Sequence, residues 1–234
     1  MTLTTLGYAF LGGLLPSFIW LYFLLQEDAR HPEPKAMIAL AFIAGMVAVP
    51  LALPLEQYAK VSLGSDIDIL TAWALIEEFL KYGMAALFIL WRPAVDEAPD
   101  YVIYMITIAL GFAAAENMLF LIAPISDGSI ASGIFTGNVR FIGSTMLHVL
   151  ASASIGFMLA FSHTSSPLVR MAAGASGLIL ASALHTLFNA IIITQGTSTT
   201  LSAVFLVWTG AVIFFAAFEV LKYFQYRTIP INTP

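Results

Sequence analysis

Two glutamates stand next to each other in the stretch "TAWALIEEFLKYG", residues 71–83. Glu77 and Glu78 are flanked by apolar residues on both sides, and Lys81 follows one helical turn later. A carboxylate in such a setting can accept a proton as a general base or bind a divalent metal ion. The chemistry therefore depends on which other groups the fold brings to this pair.

Later segments carry further polar groups in apolar surroundings. Glu116 lies in "GFAAAENMLF", His148 in "RFIGSTMLHVLAS", and His185 and Asn189 in "ALHTLFNA". Carboxylates and imidazoles together can activate water, and a histidine with an amide can donate hydrogen bonds to a developing oxyanion. The same residue types can instead hold zinc, which in hydrolases often takes two histidines and one glutamate and keeps a position open for water. Either route leads to hydrolysis by activated water.

The composition indicates the environment of these groups. Of the 234 residues, 60% are hydrophobic and only 10% are charged, whereas a soluble domain has about 25% charged residues. Long apolar stretches recur along the chain without strand-like alternation, which argues against a transmembrane barrel and predicts an all-α, polytopic transmembrane helix bundle. We expect residues 1–234 to form a single integral membrane domain, with the core motifs in residues 68–193.

Seven spans fit this pattern, separated by segments rich in charge or in turn-forming residues. They are predicted at residues 4–25, 36–56, 68–91, 101–123, 138–162, 169–193 and 200–223. The first stretch, "MTLTTLGYAF", lacks the positive start of a signal peptide, so we expect it to be retained as a helix.

The positive charges orient the predicted bundle. With the N-terminus outside, only Lys60 and Arg140 fall outside, and Lys81 lies within a span. The basic residues on the cytoplasmic side are then Arg30, Lys35, Arg92, Arg170, Lys222 and Arg227. Cytoplasmic loops carry an excess of lysine and arginine, so the sequence predicts an N-out, C-in topology.

In this topology the ionisable groups share one depth. Glu77 and Glu78, Glu116, His148 and His185 all lie roughly 10–15 Å below the outer surface, counted at ~1.5 Å per residue. A charge inside the bilayer costs about 2.5–3.5 kcal/mol on insertion scales. Because four separate spans agree on one level, we predict a shared site near the outer face.

Spacing within the helices suggests how these groups are arranged. Glu77 and Lys81 are four residues apart and are expected to pair on one face, which leaves Glu78 freer to face another partner. His185 and Asn189 have the same spacing and are expected to converge on one point.

Each feature also has a purely structural interpretation. Glu77 and Lys81 would then be an ion pair that helps the helix insert, and Glu116 with Asn117 would form an interhelical hydrogen bond. A lone membrane histidine such as His148 would be a packing residue. The agreement in depth across four spans favours a functional site over these separate readings.

The chain lacks several features that other functions need. It has no cysteine, which excludes a thiol nucleophile and a disulfide framework. Its net charge of −5 offers no basic patch for nucleic acid. It contains no HExxH zinc helix, no GxSxG nucleophile elbow and no pair of intramembrane aspartates.

Taken together, the motifs resemble the PrsW family of intramembrane proteases. The resemblance rests on "EEFLK" at 77–81, "FAAAEN" at 112–117, the histidine at 148 and "HTLFN" at 185–189. The loop "DARHPEPK" after a first span ending "IWLYFLLQ" is also similar to that family, so the likeness covers residues 16–190.

The resemblance implies an integral protein of the bacterial inner membrane with its active site near the extracytoplasmic side. Its partners would be the lipid bilayer and a single-span anti-sigma factor, whose cleavage would start a stress-signalling cascade, with no nucleic acid involved. The family belongs to a wider group with the CAAX-prenyl endopeptidases and bacteriocin-processing proteins, and some members of that group are not proteolytic.

Roles can be carried over motif by motif. Glu77 and Glu78 match the double-glutamate motif, Glu116 the second motif, and His185 with Asn189 the last. The leading hypothesis is then that one of the adjacent glutamates is the base and that His148 helps to position water. His185 and Asn189 would stabilise the oxyanion, Lys81 would fix the glutamate pair, and Arg140 at the outer mouth would receive the substrate chain.

One departure from the wider group bears on the cofactor. CAAX-type relatives usually have a histidine in an FxxxH motif where this chain has Glu116, and His148 on the next span is a candidate to replace it. Glu116, His148 and His185 are therefore candidate ligands of one divalent metal ion, Zn²⁺, as the alternative to a metal-free glutamate mechanism.

Other functions stay open at this point. A metal-dependent lipid amidase of the same shape would need a lipid-sized slot, whereas a protease would need a groove for an extended peptide. A proton- or ion-coupled transporter would use the glutamates and histidines as a relay, but transporters of this type often show internal repeats and midplane sites. A non-catalytic scaffold would not explain ionisable motifs at a shared depth.

Overall fold

The structure is a computed structural model that describes residues 2–27, 29, 31–127, 133, 137, 140–195 and 197–228. Within these ranges the chain forms seven long helices and no strand. They are α1 (Leu3–Glu27), α2 (Lys35–Ser62), α3 (Asp66–Phe88), α4 (Ala98–Ser126), α5 (Thr145–Phe161), α6 (Pro167–Gln195) and α7 (Thr197–Thr228). They correspond to the seven predicted spans, although residues 138 and 139 of the predicted fifth span lie outside the described residues.

Membrane-spanning character is clear for most of these helices. Among the described residues, six helices are long and apolar enough to cross a membrane by length and composition, and α5 reaches this length together with the turn before it. The remaining helix, α3, has 23 residues but carries Asp66 and Asp68 in its first turn and three buried ionisable residues further on. The predicted all-α, polytopic bundle is confirmed.

α2 is longer than predicted, since it runs to Ser62 instead of ending at residue 56. Pro50 and Pro54 lie inside it, and proline is tolerated in membrane helices where neighbouring groups and local adjustments satisfy the freed carbonyl groups. The extension brings Glu56 against α3, where Trp73 Nε1 donates a 2.9 Å hydrogen bond to the Glu56 backbone carbonyl. The prediction that this span ends at residue 56 is therefore wrong.

α4 is the central helix and packs against α1, α2 and α5. A Cβ atom at Gly111 would overlap the backbone of Phe42, and one at Gly45 would overlap the backbone of Ile108. Glycines at such points let two membrane helices approach closely. Gly111 lies just over one helical turn before Glu116, so this close contact between α2 and α4 fixes the position of that carboxylate.

α5 is entered through a π-helical turn, Arg140–Ser144, that no sequence pattern predicted. Short π segments are rare and occur frequently at functional sites. The turn carries Arg140, whose guanidinium donates hydrogen bonds to Glu116 and Asn117 on α4. It therefore joins the start of α5 to α4 beside the ionisable groups.

Candidate active site

The ionisable residues of α3 lie inside the bundle. Glu78 and Lys81 are fully buried, and Glu77 is only 6% exposed. Lys81 comes three residues after Glu78 and four after Glu77, so its side chain is next to both glutamates on the helix surface. A buried charge is costly unless it is paired and hydrogen-bonded, so the partners of each group indicate its role.

Both carboxylate oxygens of Glu78 accept hydrogen bonds. Its Oε1 accepts hydrogen bonds from Lys81 Nζ at 2.6 Å and His185 Nδ1 at 2.9 Å, and its Oε2 accepts one from Ser152 Oγ at 3.0 Å. The predicted ion pair between Lys81 and Glu77 is present at 4.0 Å, but Lys81 makes its hydrogen bond to Glu78. A helical lysine can reach either residue, and groups on α5 and α6 converge with it on Glu78.

Glu77 is the carboxylate that this network leaves open. Its Oε2 is buried and has no hydrogen-bond partner among the described residues. This atom lies 3.8 Å from His148 Nδ1 and 3.9 Å from His185 Nε2, distances too long for hydrogen bonds. A buried acceptor without a partner is unfavourable, which makes Glu77 the place in the site where a further group is needed.

His148 connects this centre to a second cluster on α4 and α5. Its Nε2 lies 2.9 Å from Glu116 Oε2, which also accepts a 2.6 Å hydrogen bond from Arg140 Nη2. Arg140 Nε donates to Asn117 Oδ1 at 2.5 Å, and Asn117 Nδ2 donates to Thr145 Oγ1 at 3.0 Å. Arg140 thus supports Glu116 and Asn117, and its contact with a substrate chain stays a prediction.

The hydrogen bonds indicate which histidine nitrogens carry protons. Lys81 Nζ lies 3.0 Å from His148 Nδ1. Because an ammonium group only donates, Nδ1 accepts and Nε2–H donates to Glu116. His185 Nδ1 faces the Glu78 carboxylate, so Nδ1 is protonated and Nε2 carries the lone pair. The unprotonated nitrogen of each ring is the one nearer Glu77.

Glu77, His148 and His185 are grouped closely enough to form a candidate metal site. One ligand atom from each lies within 4.8 Å of the others, and the ligands of a tetrahedral zinc ion are about 3.3 Å apart. The second nitrogen of each histidine bonds to a carboxylate, Glu116 or Glu78. Such outer partners orient metal-binding histidines, and the unpartnered Glu77 oxygen is a further reason why a cation fits.

This group differs by one residue from the predicted ligand set of Glu116, His148 and His185. Glu116 contacts Nε2 of His148, whereas Glu77 is near Nδ1, so the two carboxylates lie on opposite edges of the ring. Lys81 contacts that same Nδ1. Metal binding at this nitrogen would therefore leave Lys81 paired with Glu78 alone.

Two half-buried residues, Asn189 and Glu56, lie at the border of the site. Asn189 lies one turn after His185 and is half-buried, and no hydrogen bond joins it to the other site residues in the described parts of the chain. Glu56 on α2 is half-buried and interacts electrostatically with Glu116 and Lys81. Sequence reasoning missed Glu56, although it is the sole acidic residue within the apolar α2.

The family comparison covers this whole site. A family model described as "PrsW family intramembrane metalloprotease" matches residues 33–220. This range includes every site residue discussed above, and it confirms the resemblance inferred from the motifs.

Individual relatives agree with the family match. Proteins named "Protease PrsW" are 27% identical over 149 residues in Geobacillus kaustophilus (62% of each chain) and 27% over 177 residues in Bacillus subtilis (74% of this chain, 77% of the relative). The protein of that name from Oceanobacillus iheyensis is 30% identical over 159 residues, 65% of this chain and 69% of the relative. The chain thus spans less than two thirds of the Geobacillus relative. No solved structure matches the chain significantly.

Proposed function

Because the chain belongs to the PrsW family of intramembrane metalloproteases, we propose that it is an intramembrane endopeptidase that hydrolyses a membrane-anchored protein. The water would be activated between Glu77, His148 and His185. The observation that carries this proposal is the buried Glu77 Oε2, which has no hydrogen-bond partner in the described part of the chain and lies 3.8 and 3.9 Å from the two histidine nitrogens. Water or a divalent cation satisfies such an oxygen.

The two adjacent glutamates have different tasks in this account. Without a bound cation, Glu77 Oε2 would accept the proton of the attacking water as a general base. Glu78 orients the centre, because its oxygens already accept hydrogen bonds from Lys81, His185 and Ser152. Its bond to His185 Nδ1 keeps the lone pair of Nε2 directed to the side of Glu77.

Glu77, His148 and His185 are also the residues that would hold a divalent cation, and their donor atoms suit Zn²⁺. The chemistry that such a cation would supply at these residues is Lewis acidity, which lowers the pKa of water towards neutrality. Glu116 would then support His148, since its carboxylate accepts a hydrogen bond from Nε2–H and fixes the orientation of the ring.

Asn189 is proposed to stabilise the oxyanion that forms on the scissile carbonyl group. It is half-buried one turn after His185, and no hydrogen bond joins it to the other described site residues. Its side-chain amide is therefore available to donate. A donor that is already aimed at the developing charge typically contributes about 10²–10³ in rate.

The substrate we propose is a single-span anti-sigma factor, cut near the extracytoplasmic face of a bacterial inner membrane. The substrate class follows from the family resemblance. The side of the membrane follows from the positive charges, which favour an N-out, C-in topology. In that topology the carboxylates and histidines lie closer to the outer surface.

The proposal can be tested with the full chain reconstituted into liposomes. The substrates would be single-span membrane proteins, anti-sigma factors among them, each tagged at both ends. We expect the wild type to split at least one of them and Glu77→Gln to split none. Equal cleavage by Glu77→Gln, or hydrolysis of lipid amides without cleavage of any protein, would overturn the proposal.

A further inference from the structure

A groove of about 530 Å³ lies between α3 and α6, outside the centre described above. Thr71 and Leu75 line it on α3, and Ser182, Ala183 and Thr186 line it on α6. Leu75 is 48% exposed, whereas Ser182 is 7% exposed. The groove thus has an open apolar rim on the outside of the bundle and a buried polar residue at its base.

The groove follows the two helices that carry Glu78 and His185. Leu75 comes three residues before Glu78 on α3, and Ser182 comes three residues before His185 on α6. Residues with this spacing lie on the same side of a helix. Glu78 and His185 are hydrogen-bonded to each other, so the groove lies beside the two helices that carry this part of the candidate active site.

Ser182 is unusual among the hydroxyl residues of these helices. Thr71 and Thr186 donate to the backbone carbonyl four residues earlier, at 2.7 and 2.8 Å, and so does Ser176 on α6 at 2.9 Å. Ser182 Oγ is buried and has no hydrogen-bond partner among the described residues. An unpaired buried hydroxyl is unfavourable, and rotation about Cα–Cβ can turn it towards the groove.

A polypeptide satisfies this hydroxyl and a lipid chain does not. Acyl chains have no acceptor, whereas every peptide unit offers a carbonyl oxygen. The carbonyls of an intact helix already accept one hydrogen bond within the helix, whereas those of a segment that has left the helical conformation have no partner, so an unwound segment offers the stronger acceptor. The substrate helix must also unwind around the scissile peptide bond before water can attack it, so cleavage needs an unwound segment as well.

We propose that the groove between α3 and α6 binds the unwound part of the substrate's transmembrane segment next to the scissile bond. Ser182 Oγ donates a hydrogen bond to a backbone carbonyl of that segment. Ala183 and Ala190 leave room for the substrate side chains and limit their size. This inference rests on the proposed protease function and adds the route by which substrate reaches Glu77.

Photocrosslinking tests substrate binding apart from cleavage. A benzophenone amino acid would replace Ala183 in the inactive Glu77→Gln background, with the tagged single-span proteins in the same liposomes. The matched control is Ala172, which is exposed on α6 three turns earlier and is not part of the groove. We expect crosslinks to a protein substrate from position 183 and not from position 172. Crosslinks from position 183 to lipid only, or equal crosslinking from both positions, would overturn the proposal that the groove binds substrate.

Kinetics of two groove variants test the same idea in the active protein. Ala183→Trp should block cleavage, whereas Ala172→Trp should leave it unchanged. Ser182→Ala should raise KM about fivefold, as expected for one lost hydrogen bond, without lowering the melting temperature, and Ser176→Ala should change neither. If Ser182→Ala lowers the melting temperature and leaves KM unchanged, Ser182 is structural and the proposal is wrong.

These outcomes separate the groove from the function. If the protein cleaves substrate and Ala183→Trp has no effect, the protease function stands and the proposed role of the groove is wrong. Crosslinks to a single-span protein from position 183 without any cleavage by the wild type support the groove and remove the protease function.

Discussion

Glu77 and Glu78 are consecutive on α3, yet their carboxylates are in opposite hydrogen-bonding states. Glu78 accepts hydrogen bonds from Lys81, His185 and Ser152, whereas Glu77 Oε2 has no hydrogen-bond partner among the described residues. Two neighbouring positions on the helix therefore carry one carboxylate that is held by three hydrogen bonds and one with a buried, unpaired oxygen. The two are expected to respond differently to the same substitution.

Glu77→Gln should abolish activity while the bundle stays folded. The amide keeps the shape of the side chain but cannot accept a proton from water, so cleavage should fall by about 10²–10⁴-fold or more. The measurement is cleavage of a single-span substrate in liposomes, with thermal unfolding monitored in parallel. Glu219→Gln is the control, because Glu219 is an exposed carboxylate paired with Lys222 and lies outside the site.

Glu78→Gln should destabilise the protein in addition to inactivating it. It removes the carboxylate that neutralises the fully buried Lys81, and breaking a buried pair typically costs about 3–5 kcal/mol. The melting temperature should therefore drop well below that of Glu77→Gln.

A second substitution checks this explanation. Combining Glu78→Gln with Lys81→Met removes the unpaired charge, so it should recover a large part of the lost thermal stability without restoring cleavage. Equal melting temperatures for Glu78→Gln and Glu77→Gln would contradict the assigned difference between the two glutamates.

Gly111→Ala should disturb the site from a distance. Its Cβ would overlap the backbone of Phe42, which should force α2 and α4 apart and change the position of Glu116 relative to His148. We expect lower stability and weaker activity, measured by thermal unfolding and cleavage. Gly83→Ala is the matched control, because a Cβ there meets no atom within 4 Å and alanine favours helix by up to about 1 kcal/mol.

The helix order and the meeting of the carboxylates with the histidines could be predicted from the sequence. Apolar runs define spans, and an ionisable residue in such a run must face other protein groups. The partner of Lys81 could not be predicted, because local spacing allows both Glu77 and Glu78. The choice depends on His185 and Ser152, which approach from other helices.

Two further features could not be predicted from the sequence for related reasons. Glu56 lies where two prolines and nearby charge resemble the end of a span, and only packing against Trp73 on α3 shows that α2 continues. The π turn at Arg140–Ser144 has no periodic signature of its own. Both features concern contacts between helices, which hydrophobic periodicity does not encode.

The membrane topology can be measured with introduced cysteines, since the chain has none of its own. Gly64 in the loop before α3 and Ser165 in the loop before α6 are both exposed. With an N-out topology, a membrane-impermeant maleimide should label Gly64→Cys in intact cells and Ser165→Cys only after permeabilisation. The reverse pattern would place the site nearer the cytoplasmic face.

Glu116→Gln should weaken metal binding without abolishing it. Glu116 contacts His148 Nε2 at 2.9 Å and lies on the ring edge opposite Glu77. Loss of an outer partner of this kind typically lowers metal affinity by about 10–100-fold. Zinc titration of the purified protein in competition with a coloured chelator measures the change. An affinity equal to that of the wild type would contradict the supporting role of Glu116.

The most direct test of the Glu77–His148–His185 centre is metal content measured together with cleavage before and after chelation. We expect about one zinc ion per chain, activity that is lost on chelation and restored by zinc, and loss of bound metal in Glu77→Gln and His185→Ala. A metal-free protein that cleaves its substrate at full rate in excess chelator would contradict the metal centre. In that case Glu77 would be a general base acting alone.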